Sequence, residues 1–583
     1  MCGIIGYIGN KHPKDVLLNG LKALEYRGYD SAGIALKKDE EIQVIKSVGQ
    51  ISNLENKINE EKLIPATMGI AHTRWATHGE ANLINAHPHT VGKVTLVHNG
   101  IIENAIELKE ELKKEGYQFK SDTDTEVISA LIDKYYKKDP VEAIQKALDI
   151  LKGSYALAII FNDVDKIYAV RKESPLIVGE GIKENFVASD LIAIIDYTNK
   201  YYLLEEKEIA EVSAEKIIFY KDGKKINKKV LTTDLEVTTK DKCGYEHYML
   251  KEIMEEPVVL ENTLKPYIEN INLIPDISDY EEVHIIGCGS ALYAGMIGKT
   301  LLEENTNLRV VCEVASEYRY RKVLYDRRVL VIVISQSGET ADTIAALRKA
   351  KKAGAHTLGI VNVEGSTIAR ESDKVIFIKA GVEVAVATTK AYILQVAILG
   401  LIALVSSHAL ENASEELKML PKLLKRVIDE EDIYKKIAKE IYKNEHIFFI
   451  GRKIDYAIAL EGSLKLKEVS YIHSEAYQAG ELKHGTISLI EKNTPVFAIM
   501  TDGDVMDKTI SNTEEVLARG ARVIVISNTK KTDFQTIEVP KISKFFQPIL
   551  VVPTLQLIAY WTAKMRNCEI DMPKNLAKSV TVE

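Results

Sequence analysis

The chain has 583 residues, enough at about 100 to 200 residues per domain for three or four folding units, so a single small module is excluded. Hydrophobic residues make up 46% and charged residues 27%, and 33 glycines stand against 14 prolines, which excludes disordered, collagen-like and disulfide-framework classes. The 76 basic and 84 acidic side chains leave a net charge of -8, so no nucleic-acid partner is expected, although a small anionic ligand held by local groups remains open.

Residues 1 to about 225 hold short β runs bounded by turns (CGIIGYIG, VTLVHNGII, YALAIIF, KIYAVRK), with helical stretches predicted at 13–26, 103–115, 124–137 and 140–152. This is an α+β pattern. The start lacks a basic segment followed by an apolar one and a small-residue cleavage site, so no signal peptide is expected. From 226 to 250 the text turns polar and no periodicity is sustained, which predicts a linker. Beyond it, apolar strands alternate with amphipathic helices, and the pattern occurs twice. VHIIGCGS, VLVIVISQSGET and AHTLGIVN are matched by IFFIGRK, PVFAIMTDG and ARVIVISN. Two strand-Gly-helix domains with parallel sheets follow, at 251–415 and 416–572, ahead of a tail at 573–583. The longest apolar run, Ala391 to Val405, is interrupted by Gln395 and is shorter than the about eighteen residues a span needs. It predicts a buried helix and no membrane partner.

The five cysteines, Cys2, Cys243, Cys288, Cys312 and Cys568, lack CxxC spacing, which suggests neither a zinc ribbon nor a disulfide framework and fits a reducing cytoplasm. Cys2 follows the initiator Met. Removal of Met1 would leave a thiol and a free α-amine on one residue, and an amine of pKa near 7.7 to 8.0 can serve as base for its own thiol. The plain alternative is a small apolar residue opening a β-strand. Five histidines lie between His72 and His98, but His87-Pro88-His89 fits no common zinc spacing and no cysteine or paired carboxylate interleaves with them, so no metal is expected.

Downstream of Cys2 stand ALEYRGYDSAGIA, GIAHTRWATHGE, HPH, VHNGIIEN and SDTDTEVI. Together these blocks resemble the glutaminase domain of the N-terminal-nucleophile amidotransferases, whose fold stacks antiparallel sheets between helices. The resemblance implies that Arg27 belongs to the pocket's structural core and that Arg74, Trp75, Thr77 and His78 line the glutamine site, Arg74, Thr77 and His78 holding the α-carboxylate. It further implies that Asp124 and Gly100 take the α-amino group, and that Asn99 with the Gly100 backbone forms the oxyanion hole. The residue types suit the task, since a guanidinium fork fits a carboxylate and amide donors fit a tetrahedral oxyanion.

In the repeated half, SQSGET (Ser335 to Thr340) follows an apolar strand and precedes a helix, so its hydroxyls and N–H groups form an anion site suited to phosphate. Ser290, in the CGS turn one unit earlier, converges on the same crevice, although either turn alone could be a plain N-cap. The second copy reads TDGD (Thr501 to Asp504) at this place, and carboxylates there would repel phosphate. In EGSLKLKEVSYIHSEAY, Glu461, Lys465 and Glu468 are spaced i, i+4, i+7 on one helix face, a pattern that also describes a solvated face. QAGELKHG and the tail NLAKSVTVE complete the set.

With AVATTKAY, and behind a Cys2 glutaminase domain, these motifs resemble in order the isomerising glutamine:fructose-6-phosphate amidotransferase family, whose synthase half is two sugar isomerase (SIS) domains. That resemblance implies glutamine-dependent conversion of fructose 6-phosphate to glucosamine 6-phosphate, the first step of hexosamine biosynthesis, in a cytoplasmic enzyme at least dimeric. Ser335, Gln336, Ser337 and Thr340 would bind the phosphate, with Ser290, and Val386 and Thr388 would line the sugar pocket. Lys578 would form a Schiff base with the open-chain ketose, Glu468 would move the proton between the first two carbons, Lys465 would support it, and His484 would open the sugar ring at a neighbouring subunit's site. No cofactor is expected, since Lys578 supplies the imine. Docking of the tail is expected to rest on Leu576, Val580 and Val582, with desolvation and nearby cations favouring the neutral amine. Three departures stand out: Ala291 removes a hydroxyl usual after CGS, Thr388 stands where Ser is usual, and Thr486 replaces a Pro. An amidophosphoribosyltransferase would share the glutaminase half, but the SIS repeat stands where its acidic diphosphate-ribose loop would be.

Overall fold

The computed structural model describes residues 2–75, 79–233, 242–323, 328–410, 413–530 and 534–581. The chain forms two compact units, Met1–Lys240 with Ser579–Glu583, and Asp241–Lys578.

The first unit carries two antiparallel sheets. One has eight strands, in the order Leu231–Thr232, Lys200–Leu203, Ile177–Glu180, Glu184–Ala188, Gly3–Gly9, Met68–Arg74, Ser31–Lys38, Glu41–Val48. The other has seven, running from Lys224–Ile226 through Ile217–Lys221, Ile209–Val212, Val164–Lys172, Gly153–Phe161 and Val94–Ile102 to His89–Val91. Successive side chains of a strand point to opposite faces, and both faces here are apolar. Ile4, Ile8 and Ile70 meet Val97, Ala156 and Ile160 between the sheets. Ile5 and Tyr7 face outward to Leu17 and Leu21 of the helix Pro13–Leu24 and Leu54 of the helix Ile51–Glu60. On the far side Leu96 and Leu157 pack on Ile128 of the helix Asp124–Tyr135 and Ile144 of the helix Pro140–Leu148. The result is the expected sequence of layers, two sheets between helices.

The second unit contains two five-stranded parallel sheets. In the first the order is Arg309–Val314, Glu282–Gly287, Val329–Ser335, His356–Val361, Lys374–Phe377; in the second it is His473–Gln478, His446–Gly451, Pro495–Met500, Arg522–Ser527, Gln535–Glu538. Both read second, first, third, fourth, fifth in chain order, so the repeat in the sequence is a repeat in topology. The strand Val329–Ser335 is buried throughout because helices cover both faces, which is why it reads as an unbroken apolar run. The run Ala391 to Val405 lies in the helix Lys390–Ser406, buried at every position but Val405. Its Leu399 shares a core with Leu466 and Leu555 from the second copy.

Three boundaries differ from the sequence reading. Leu231 and Thr232, inside the predicted linker, pair as an edge strand with Tyr201 and Lys200. Two residues on an edge need no apolar pattern, so periodicity does not reveal them. The helix Tyr248–Glu269 also starts within that range, its first N–H groups satisfied by Asp571, 323 residues from Tyr248. The predicted break at 415/416 falls inside the helix Ala413–Asp429. Among the described residues no helix is long and apolar enough to cross a membrane.

Candidate active sites

Cys2 leads directly into the strand Gly3–Gly9, and pairing of Gly3 with Thr73 brings Trp75 beside the thiol. Trp75 N–H donates to Cys2 Sγ at 3.3 Å, and Sγ lies 3.6 Å from the Trp75 carbonyl. Burial pushes the thiol above its ordinary range, while the Trp75 N–H and the Arg74 charge oppose the rise. Asn99, on the strand Val94–Ile102, donates from Nδ2 to the Cys2 carbonyl at 2.9 Å. Its Oδ1 lies 3.1 Å from His72 Nε2, which is also 3.0 Å from the His98 carbonyl. Two acceptors at one nitrogen require the proton on His72 Nε2, so the Asn99 amide is turned with its NH2 toward Cys2. The sequence does not single out His72 as an orienting group. At Gly100 φ is +140°, and a Cβ would lie 2.1 Å from the Ser154 carbonyl, so the close approach of these strands demands glycine.

Asp124 opens the helix Asp124–Tyr135, whose start is fixed by Glu126, the acceptor of the Lys120 and Ser121 N–H groups and the Ser121 hydroxyl. One Asp124 oxygen accepts Ile102 N–H at 2.8 Å, and the other lies 4.0 Å from His98 Nδ1. Arg74 is buried and donates to the carbonyls of Gly79 and Glu80 at 3.0 and 3.2 Å. Burial lowers its pKa, and the charges of Cys2, Asp30 and Asp124 counter that. Arg27, also buried, is paired with Asp190. Thr77 and His78 lie outside the described residues. His72, His87 and His89 are buried, and burial holds His72 down to about 3 and the other two well below the imidazole range. They are neutral core groups at neutral pH, and among the described residues no cluster of three or more His, Cys, Asp and Glu could hold a metal ion.

In the second unit, the SQSGET turn is wound around its own hydroxyls. Ser335 Oγ accepts Gly338 N–H at 3.0 Å and lies 2.9 Å from Thr340 Oγ1, while Ser337 Oγ accepts Glu339 N–H at 3.2 Å. Gln336 lends its carbonyl to Asn362 N–H at 3.1 Å, and Thr340 caps the helix Ala341–Lys352. Gly338 has φ of +65°, and a Cβ there would lie 2.1 Å from Ser366 Oγ. Hydroxyls at a helix N-terminus are chemistry suited to an anion. Ser290 behaves otherwise than expected: its hydroxyl donates to Glu461 at 3.1 Å, so it is committed to a protein carboxyl.

Glu461, Lys465 and Glu468 lie on the helix Ile454–Ser470. They are not a solvated face. Glu461 and Lys465 are fully buried, and Lys465 Nζ is 2.5 Å from Glu468 and 3.7 Å from Glu461. Burial pushes Glu461 up to about 8 despite Lys465 nearby. Burial alone would lower Lys465, yet Glu468 and Glu461 hold it above its ordinary value. His484 is the exposed last residue of the 3-10 turn Leu482–His484, which is anchored by buried Leu482.

Lys578 docks against the segment Glu383–Ala391. Its Nζ donates to Glu383 Oε2 at 2.5 Å, to the Ala385 carbonyl at 2.8 Å and to Thr388 Oγ1 at 3.3 Å. Only 3% of its side chain is exposed. The nearest charged partner is therefore a carboxylate, and not the cations expected from sequence. Anchoring of the tail also departs from expectation: Val580 is 43% exposed, Leu576 is half-buried and Val582 lies outside the described residues. Polar bonds are made instead: within the tail Lys574 N–H donates to the Tyr471 hydroxyl at 2.8 Å, and just ahead of it Asp571 accepts from Tyr248 and Met249 N–H at 2.9 Å while its carbonyl accepts from Val386 N–H at 2.9 Å. Neither Glu383 nor Asp571 carries a sequence signal, because each acts on a partner remote in the chain.

The fold and these two sites define a glutamine amidotransferase domain joined to tandem sugar isomerase domains. Family models match accordingly, the glutamine amidotransferase domain at residues 78–196 and the SIS domain at 276–405 and 440–566. Over its full length and theirs the chain is 46% identical to glutamine–fructose-6-phosphate aminotransferase (isomerizing) of Clostridium tetani and 43% identical to that of Thermus thermophilus. The C-terminal domain of the Francisella tularensis enzyme, a solved structure, aligns over 57% of this chain and all of its own length with a TM-score of 0.55 at 36% identity. The chain belongs to the isomerising glutamine–fructose-6-phosphate aminotransferase family.

Proposed function

We propose that the chain converts fructose 6-phosphate and glutamine to glucosamine 6-phosphate and glutamate, in the cytoplasm. Cys2, its α-amine freed by loss of Met1, attacks the glutamine amide, and the Asn99 amide, already turned toward Cys2, with the Gly100 backbone receives the oxyanion. Arg74, Trp75 and Asp124, with Thr77 and His78, hold the amino acid. The released ammonia reaches a sugar bound by the Ser335–Thr340 turn and held as an imine on Lys578. Glu468, backed by Lys465, moves the proton between the first two sugar carbons. The observation that carries this reading is the docking of a tail lysine onto the Thr388 loop, which a frayed terminus would not make. The exposed position of His484 supports its service to a neighbouring subunit in a dimer or larger homo-oligomer.

The test is to incubate the purified chain with both substrates and identify the amino sugar by mass. Cys2→Ala should lose glutamine-dependent synthesis while retaining synthesis from added ammonia. If this variant releases glutamate at the parent rate, or if active enzyme retains Met1, Cys2 is not a nucleophile activated by its own amine.

A further inference from the structure

Three acceptors surround the Lys578 nitrogen, and an ammonium has three N–H bonds and no lone pair. With all three bonds engaged, the docked lysine cannot attack a carbonyl until a proton leaves. The three partners are unequal in this respect. A peptide carbonyl does not take a proton, a threonine hydroxyl is a very weak base, and Glu383 is a carboxylate in direct contact with the nitrogen. We propose that Glu383 is the general base that takes the proton from Lys578 and the acid that returns it when water departs. This rests on the reading of Lys578 as the imine-forming amine.

The step balances. Glu383 removes one proton from Nζ, and the freed lone pair bonds to the ketose carbonyl carbon as the carbonyl π pair moves to oxygen. A second nitrogen proton passes to that oxygen, giving a carbinolamine. Glu383 then donates its proton to the hydroxyl, the carbon–oxygen bond breaks, water leaves, and the nitrogen pair closes the C=N bond. Ammonium and ketone become protonated imine and water, and Glu383 ends as it began.

The surroundings suit a carboxylate held ready. Glu383 Oε1 accepts Thr389 and Ala391 N–H at 3.0 and 3.1 Å, at the start of the helix Lys390–Ser406, so one oxygen is anchored where the helix dipole favours negative charge and Oε2 is left for Lys578. Glu252 holds the same segment from the helix Tyr248–Glu269, accepting Val384 and Ala385 N–H at 2.5 and 3.2 Å. The other charged groups acting on this spot are Glu256 on that helix, Lys390, and Lys465 from the second copy. Burial would raise Glu383, but Lys578 and its hydrogen bonds hold it below the ordinary carboxyl value, whereas burial and the Glu383 charge push Glu252 up to about 8. The two carboxyls shift in opposite directions, Glu383 toward the charged form and Glu252 toward the neutral one.

Glu383→Gln keeps a carbonyl for the Thr389 and Ala391 N–H groups and removes the base. Parent and variant are incubated with fructose 6-phosphate and borohydride, and the hexitol phosphate attached to Lys578 is timed by mass spectrometry. Binding of glucitol 6-phosphate, which has no carbonyl, reports an intact pocket. At about pH 7 the variant should label Lys578 about a hundredfold or more slowly than the parent, recover as the pH is raised and hydroxide replaces the missing base, and bind glucitol 6-phosphate within about threefold of the parent. Glu383→Asp should recover part of the rate. Labelling of Lys578 by the Gln variant at the parent rate overturns the proposal and leaves the imine reading standing. Slow labelling at every pH together with lost glucitol 6-phosphate binding assigns Glu383 to anchoring alone and also overturns it. Absence of Lys578 labelling in the parent fells the imine reading itself.

Discussion

The two SIS copies have the same strand order, the same glycine closing the first strand (Gly287, Gly451) and an asparagine just past the fourth strand in sheet order (Asn362, Asn528), yet they treat the turn after the central strand in opposite ways. In the first copy the turn from Ser335 to Thr340 is lined with hydroxyls, and its one acidic residue, Glu339, is turned aside to the N–H and hydroxyl of Thr367 at 2.7 and 2.8 Å. In the second copy Asp455 accepts Thr501 N–H at 2.8 Å, Asp502 N–H at 3.0 Å and the Thr501 hydroxyl. There the turn's donors are engaged by the protein's own carboxylate. The pair shows how a duplicated architecture diverges: the sheet is set by burial on both faces, whereas the ligand depends on one or two side chains at a turn. The first copy has the hydroxyl-lined turn and the loop that holds Lys578, and the second contributes the buried charges of the helix Ile454–Ser470.

This division can be broken at several points. The largest effect is expected from Lys578→Arg, which keeps the charge but cannot form an imine. Loss of a covalent nucleophile costs up to about a millionfold, so no glucosamine 6-phosphate should be detected by mass. Synthesis at a comparable rate would place the covalent step elsewhere. Next is Glu468→Gln, expected to lower synthesis by about 10²- to 10⁴-fold, the scale of a lost proton transfer, while borohydride still attaches sugar phosphate to Lys578. Loss of that labelling as well would show that the second copy also builds the imine site.

A smaller and paired effect is expected at the two turns. Ser337→Ala removes a donor to a dianion, roughly 1.5 to 3 kcal/mol or about ten- to a hundredfold in sugar-phosphate affinity. Thr501→Val in the second copy should cost stability on a similar scale, read by urea unfolding, with sugar affinity unchanged. Reversal of this pattern would invert the assignment of the anion-binding turn. The smallest effect on synthesis is expected from Glu461→Gln, whose signature is in stability against pH. Burial raises the folded-state carboxyl from 4.5 to about 8, so its contribution is fully present below about 4.5 and is lost as pH rises through about 8. The variant should flatten the fall in melting temperature across that window, and an unchanged slope would show that Glu461 is not the titrating group.

Much of the fold is legible in the sequence. Short β runs bounded by turn residues mark the antiparallel strands of the first unit, and unbroken apolar runs followed by glycine and a helix mark the parallel strands of the second. The helix Ile51–Glu60 is not marked, because only Ile51, Leu54 and Ile58 are buried in a polar stretch. The strand His473–Gln478 leaves no signal because it lies at a sheet edge and only Ser474 is buried. At the sites, motifs single out Cys2, Asn99 and Asp124 as candidates, and the geometry brings Cys2 and Asn99 together from strands of the two facing sheets, with Asp124 at the start of one helix bonded to the Asn99 strand. The orienting groups are hidden. His72 looks like one histidine among five, and Asp455 like an ordinary helix-start acid.

By itself the sequence determined the periodicities, the repeat and the family to which its motifs belong, because those depend on neighbours within one element or one turn. Tertiary structure decided which of those groups meet. Glu383 and Lys578 are 195 residues apart, and nothing local to either shows that a carboxylate will engage the amine. It also decided that Ser290 bonds to Glu461 and that Glu461 and Lys465 are buried while Glu468 stays partly exposed, since spacing along a helix places charges side by side but burial depends on what packs over them.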